Sequence, residues 1–351
     1  MFTPADFDYH LPKDRIAVAP ATPRDRCRLL AFDRRLNSIT HLKFYELLDQ
    51  LTPNDVLILN ETKVFPARIY GTKSTGGKVE LLLLEQLTTS KWRAIARPGL
   101  KPTMVLNFEN NLTAVVTDFN LSTGEVDCEF NQTTPIFYHT LDVIGHTPLP
   151  PYIHSSQSES QLRSDYQTVY AKINGSAAAP TAGLHFTDQL LASIKKKGIT
   201  IEYITLHVGL GTFQPLRPEN LQTGKLHHEW YDISPAVASR LLQAKSNGQR
   251  LVAVGTTTAR TLESYAATGQ LTGTTDLFIY PPFQFKLVDS LITNFHLPQS
   301  SLLMLVSALC SRPNTNNKYT QFNTSPLGNV YHQAIIDHYR FFSFGDAMWI
   351  R

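Results

Sequence analysis

Cysteine is scarce in this chain. Its three residues, Cys27, Cys128 and Cys310, lie far apart and form no C-x-x-C pair, which excludes a disulfide framework and a thiolate metal site. Such usage suits a reducing cytoplasm. An excess of charge of one sign is also missing: 32 Lys and Arg against 29 Asp and Glu leave a net +3. Any contact with nucleic acid must therefore come from a local patch rather than a global field. Long apolar runs are lacking as well; the longest, 301–310, is about half of a membrane span. The N-terminal stretch carries acids early and has no apolar h-region, so neither a targeting signal nor an anchor is expected.

What is present is ordinary in bulk. With 42% hydrophobic and 17% charged residues the composition is that of a globular protein. A length of 351 residues exceeds what one core usually serves, so two domains are expected.

The pattern along the chain divides it. From 64 to about 131 come six short β-like runs, VFPARIY, KVELLLLEQL, KWRAIAR, TMVLNFE, LTAVVTDF and EVDCEF. Turn residues punctuate them at the regular spacing of a small antiparallel barrel or sandwich. The stiff segment Pro148-Leu149-Pro150-Pro151-Tyr152 marks its exit. Helix and strand then alternate. Thr187 caps a helix that Gly198 ends, ITIEYITLHV reads as a buried strand, Ser234-Pro235 opens a second helix, and RLVAVG is a short apolar strand. The expected architecture is an α/β main domain, residues 1–63 plus 151–351, with an inserted small antiparallel β-barrel domain, residues 64–150. The polar stretch 311–329 reads as a surface loop.

Chemistry concentrates between Tyr166 and Phe213. Two glycine-rich turns, at Gly175-Ser176 and at Gly209-Leu210-Gly211, lie close to His185 and His207. They set bare backbone N–H groups beside titratable rings, as a site for a polar ligand would. Five of the 12 histidines fall between 185 and 296. His227-His228-Glu229 lacks the H-E-x-x-H geometry, so acid–base duty or substrate orientation is the functional reading for these rings, against hydrogen-bonded structural ones. LVAVG running into Gly255-Thr256-Thr257-Thr258 and a helix is an anion- or ligand-binding position, with Arg260 in its first turn. Asn294 and His296 sit in a polar pause between apolar segments, a strand end facing a cleft or a capping turn. Glu229 beside Trp230 and Tyr231 pairs a carboxylate with aromatic faces suited to a sulfonium or ammonium ion, or packs as a core edge. The tail HYRFFSFGDAMWI, with Arg340, either stacks a nucleobase or packs in the core.

Taken in order, FDYHLP, NDVLILNETKVFPARIYG, GGKVELLLL, PLPPYI, GSAAAPTAGLHFT, TLHVGLGTF, GTTTARTLES, LITNFHLPQSSLLMLVSA and YRFFSFGDAM resemble the S-adenosylmethionine:tRNA ribosyltransferase-isomerase family of the queuosine pathway over nearly the whole chain. The sequence departs from the family pattern at Asp165, where a basic residue is usual, and at Pro282, where glycine is. The resemblance implies a cytoplasmic transferase, expected to be monomeric. It would move and isomerise the ribosyl group of S-adenosylmethionine onto 7-aminomethyl-7-deazaguanine in the anticodon loop of tRNA. The products implied are epoxyqueuosine, adenine and methionine, with no cofactor and no metal. On this footing His185, His207, His228, His296 and Glu229 are the candidate catalytic groups. Ser176, Thr181, Gly209, Gly211, Tyr231, Thr256, Thr257, Arg260, Asn294 and Arg340 are the candidate substrate-binding ones. A catalytically idle RNA-binding relative and a nucleoside hydrolase are the competing functions; the second would need a water-activating carboxylate cluster, and the sequence offers none.

Overall fold

The computed structural model describes residues 2–121, 124–150, 153, 157–209, 216 and 218–351. After 3-10 turns at Pro4–Phe7, Lys13–Arg15 and Arg24–Arg26 comes a hairpin, β1 (Arg28–Asp33) and β2 (Ser38–Lys43), a single helical turn α1 (Leu47–Gln50), then β3 (Asp55–Asn60) and the short β4 (Thr62–Val64). There the main domain is interrupted. β5 (Arg68–Lys73), β6 (Lys78–Gln86), β7 (Lys91–Arg97), β8 (Val105–Phe108), β9 (Thr113–Phe119) and β10 (Glu125–Phe130) close into a barrel in the order β10-β7-β6-β5-β8-β9. The expected antiparallel barrel is thus observed, and closure removes its free edges. Ile69, Leu81, Leu83, Ala94, Val116 and Val126 fill it from alternate positions. Helix α2 (Ile136–Ile144) plugs one end, setting Phe137 against Trp92 and Phe130 at ring-centroid distances of 5.3 and 4.6 Å.

After α3 (Glu159–Asp165) the chain returns. β11 (Ile173–Ser176) pairs parallel with β4. Helix α4 (Asp188–Lys196) starts where Thr187 accepts the N–H of Leu190, and α6 (Pro235–Ser246) where Ser234 accepts that of Val237. Between them lie β12 (Thr200–Leu206), α5 (Pro218–Thr223) and β13 (Lys225–Asp232). β14 (Arg250–Val254), α7 (Thr256–Thr268), β15 (Thr272–Leu277), β16 (Ser290–Asn294), α8 (Ser301–Leu309), α9 (Pro326–Ile336) and β17 (Ala347–Ile350) complete the chain.

Nine strands form one sheet in the order β15-β13-β12-β3-β14-β16-β17-β1-β2. β12, β3, β14 and β16 run parallel at its centre, and antiparallel pairs flank them. The central strands are buried on both faces, as parallel strands must be. Val56, Ile58, Leu251 and Ala253 join the core under α6, α7 and α8, whereas Leu57, Leu59, Val252 and Val254 join the one under α4.

The stretch 311–329 is not one loop. Phe322 is buried at a 3-10 turn, and Ser325 caps α9 through the N–H of Gly328. Of the expected boundary segment, Pro151 and Tyr152 lie outside the described residues.

Candidate active site

The four parallel strands end together, and their carboxyl ends open a crevice where β12 and β14 flank β3, a place at which open α/β sheets bind ligands. Asn60 ends β3 and ties its neighbours: its amide donates to the Leu206 carbonyl at 3.0 Å and accepts the Leu206 N–H at 3.1 Å. From β14 the chain turns at Gly255, whose φ of 89° suits glycine, and α7 begins. Gly255, Thr256 and Thr257 line the crevice with Thr181, Thr293, Asn294 and His296. A helix N-terminus there favours a negative group.

Asn294, at the end of β16, joins two of the predicted residues. Its Oδ1 accepts the Thr181 hydroxyl at 2.9 Å, and its amide lies 3.0 Å from Nε2 of His185. Because the amide donates, Nε2 accepts and the proton sits on Nδ1, which faces the Cys27 sulfur at 3.2 Å. Burial, with Arg340 and Arg24 adding to it, pulls the His185 pKa down to about 3. Burial does the same to His296, also to about 3, while Nε2 of that ring lies 3.0 Å from the Thr293 hydroxyl. Both rings are neutral at physiological pH.

Behind His227, Glu229 of β13 lies fully buried. It accepts the Gly209 N–H at 3.1 Å and the guanidinium of Arg260 from α7. Burial raises its carboxyl, but Arg260, His227 and the Gly209 N–H outweigh that and bring it down to about 2. It is therefore a carboxylate. Arg260 is no surface arginine; it is 5% exposed and also donates to the Leu277 carbonyl. His227 was not among the predicted residues, yet its ring joins Thr256, Thr257, Arg260 and Leu302 in lining this end of the crevice. Local strand geometry is the signal that finds it: His227 and Glu229 meet at 3.2 Å on β13 although the register shifts between Lys225 and Glu229, while His228 is exposed and Trp230 turns to the face opposite Glu229.

Two predicted residues of β13 lie away from the crevice. His228 is exposed, and with Lys225 it influences Asp276 on the neighbouring strand. Tyr231 is core, its hydroxyl donating to the Gln270 carbonyl. Glu229 and Trp230 point to opposite faces, so they do not form one cation pocket. His207 stacks on Trp230 at 4.8 Å and bonds Thr62 through Nδ1 at 2.8 Å; burial lowers its pKa to about 4. The Ser176 hydroxyl is spent on the Ala178 carbonyl and the Val208 N–H, an inter-segment clamp rather than a free donor. Arg340 pairs with Asp346 at 3.6 Å and does not line the crevice. Gly211 lies outside the described residues. Among the described residues no cluster of three or more His, Cys, Asp or Glu could hold a metal ion, and no helix is long and apolar enough to cross a membrane.

A family model described as queuosine biosynthesis protein matches residues 4–350. The S-adenosylmethionine:tRNA ribosyltransferase-isomerase of Desulforamulus reducens is 45% identical over 354 residues, which cover 99% of either chain. A crystal structure of the S-adenosylmethionine tRNA ribosyltransferase from Thermotoga maritima is 35% identical to this chain. It covers 99% of this chain and 100% of its own, with a TM-score of 0.55.

Proposed function

This chain belongs to the queuosine biosynthesis protein family, and we propose that it acts as an S-adenosylmethionine:tRNA ribosyltransferase-isomerase. The ribosyl group of S-adenosylmethionine is moved and isomerised onto 7-aminomethyl-7-deazaguanine at the tRNA wobble position. Epoxyqueuosine forms, and adenine and methionine leave. The reaction uses no bound cofactor or metal, because the sulfonium itself acidifies the neighbouring carbons and the nucleophile is the substrate's own amine. The protein must supply a base for the C5′ proton, an acid for departing adenine and a water-poor cleft.

One observation carries this reading: the crevice at the carboxyl ends of the central strands is lined by the neutral ring of His296, by Asn294 with the neutral ring of His185 behind it, and by the amino end of α7, while His227 at its end is backed by the ionised buried carboxylate of Glu229. The α7 end suits the methionyl carboxylate of the co-substrate. The neutral rings suit proton transfer without repelling a sulfonium.

The test is a mass-spectrometric assay of the purified protein with S-adenosylmethionine and an anticodon stem-loop carrying 7-aminomethyl-7-deazaguanine. Adenine release with a matching ribosyl-derived mass gain on the RNA is the expected result. Adenine without an RNA product would mean a hydrolase; RNA bound without turnover would mean an idle relative.

A further inference from the structure

Four of the histidines around the crevice are poorly placed to take a proton from carbon. His185 and His296 hold a proton only below a pH of about 3, so they are weak bases. His207 is stacked against Trp230, and His228 faces outward. His227 differs from all of them. Its Nε2 lies 3.2 Å from Oε1 of Glu229, with side-chain exposures of 32% and 1%. The contact is an ion-pair approach rather than an aligned hydrogen bond, and a buried carboxylate this close to Nε2 favours the proton on that nitrogen and leaves Nδ1 as the lone-pair acceptor. The ring borders the crevice with Thr256, Thr257, Arg260 and Leu302, and among the described residues no group engages Nδ1. Gly209 approaches the other side of the ring: a side chain there would meet Cδ2 of His227 at 3.8 Å.

We infer that His227 is the base for the C5′ proton of S-adenosylmethionine and that Glu229 is its positioning residue. The inference rests on the function proposed above. In this step the C5′–H bond breaks, the electron pair stays on C5′ beside the sulfonium, and the proton moves to Nδ1. The imidazolium that forms faces the Glu229 carboxylate, which Arg260 and the Gly209 N–H hold in place without protonating it. The proton taken from C5′ is balanced by the one adenine needs to depart as a neutral molecule, and the proton that the substrate amine gives up on forming its C–N bond goes to solvent. The charged groups facing His227 are Glu229 on its own strand and Arg260 from α7; Ser301, Leu302 and Leu305 of α8 are uncharged. Lys225 and His228 gather instead about Asp276 of β15.

The experiment uses the full chain, the modified stem-loop and S-adenosylmethionine deuterated at both C5′ positions. It measures turnover, C5′ deuterium loss, the co-substrate Kd and the pH profile of kcat. His227→Gln, which keeps an amide to face Glu229, should lower kcat by at least about 100-fold. It should also suppress deuterium loss and remove the acid limb of the profile, while Kd stays within about threefold of wild type. Glu229→Gln should displace that limb rather than remove it. A His227→Gln enzyme that retains the acid limb and loses deuterium at the wild-type rate overturns the assignment. So does one whose Kd weakens in proportion to its activity, which marks a structural ring. A wild-type protein that gives neither adenine nor modified RNA overturns the proposed function, and this inference with it.

Discussion

Arg260 of α7 and Glu229 of β13 meet inside the protein, with side chains 6% and 1% exposed. A buried pair of this kind adds little net stability over an apolar pair, yet breaking it strands a charge. Arg260→Met should therefore cost about 3–5 kcal/mol. Glu229→Gln combined with Arg260→Met should recover much of that loss while activity stays low. Urea denaturation of the two variants decides it. A single variant as stable as wild type would mean that the two charges do not depend on each other.

The bridge from Thr181 through Asn294 to His185 predicts a second effect. Asn294→Leu keeps the volume roughly constant but leaves the Thr181 hydroxyl and Nε2 of His185 without the Asn294 amide. A loss of about 1–3 kcal/mol is expected from an unsatisfied buried polar group, together with a fall in kcat, because Thr181 and Asn294 line the crevice. Asn294→Asp should act differently. A carboxylate beside His185 would favour its charged form and raise the histidine pKa, which NMR titration of the ring reads directly. An unchanged titration would remove Asn294 from this role.

Much of this architecture is legible in the sequence alone, for reasons of period and punctuation. Five of the six β-like runs contain a whole barrel strand, since turn residues separate them and apolar side chains alternate within them, whereas VFPARIY begins at the end of β4 and covers only the first three residues of β5. Thr187 and Ser234 announced their helices by capping chemistry. The stretch 311–329 misled because its polar letters hide Tyr319 and Phe322, both buried, and Ser325-Pro326 is itself a helix start. At the site, residue types were informative and facing was not. His227 and His228 are chemically identical neighbours, and only the local geometry of β13 says which one meets Glu229. Alternation along the strand separates Glu229 from Trp230. Ser176 shows another limit: a hydroxyl in a glycine-rich turn reads as a ligand donor until its partners in a distant segment are known.

The buried histidines set a direction for pH dependence. His185 and His296, each 4% exposed, take a proton near 6.5 when unfolded but only near 3 when folded. Between those values the unfolded chain binds more protons. Stability is thus complete above about 6.5 and is lost as pH falls, at a slope of about 1.4 kcal/mol per pH unit for each ring. Glu229 adds to the loss lower down, because its contribution is present above the ordinary 4.5 and disappears as pH falls toward about 2. Urea midpoints at pH 7.5, 6 and 5 should decline in that order, and His296→Gln should decline less steeply. Parallel slopes for the two proteins would exclude His296 as a source.

At Gly175 φ is 146°, and an added Cβ would lie 2.4 Å from Nε2 of His207. Gly198 makes a partial control, since its φ of 84° is also positive, though nearer the left-handed region, and an added Cβ meets nothing within 4 Å. Gly198→Ala should cost only the backbone term, about 1 kcal/mol. Gly175→Ala must also displace the imidazole, and with it the 2.8 Å contact to Thr62 and the stack on Trp230. Its cost should exceed the control's by about 1–3 kcal/mol. A local reporter is built in, because Trp92 and Trp349 are buried at 1% and 0% whereas Trp230 is 39% exposed. Acrylamide therefore reads Trp230 above the other two, and losing the His207 ring should make it more quenchable in Gly175→Ala but not in Gly198→Ala. Equal quenching in both variants would mean that the ring accommodates the methyl without leaving Trp230, and that Gly175 serves its backbone conformation alone.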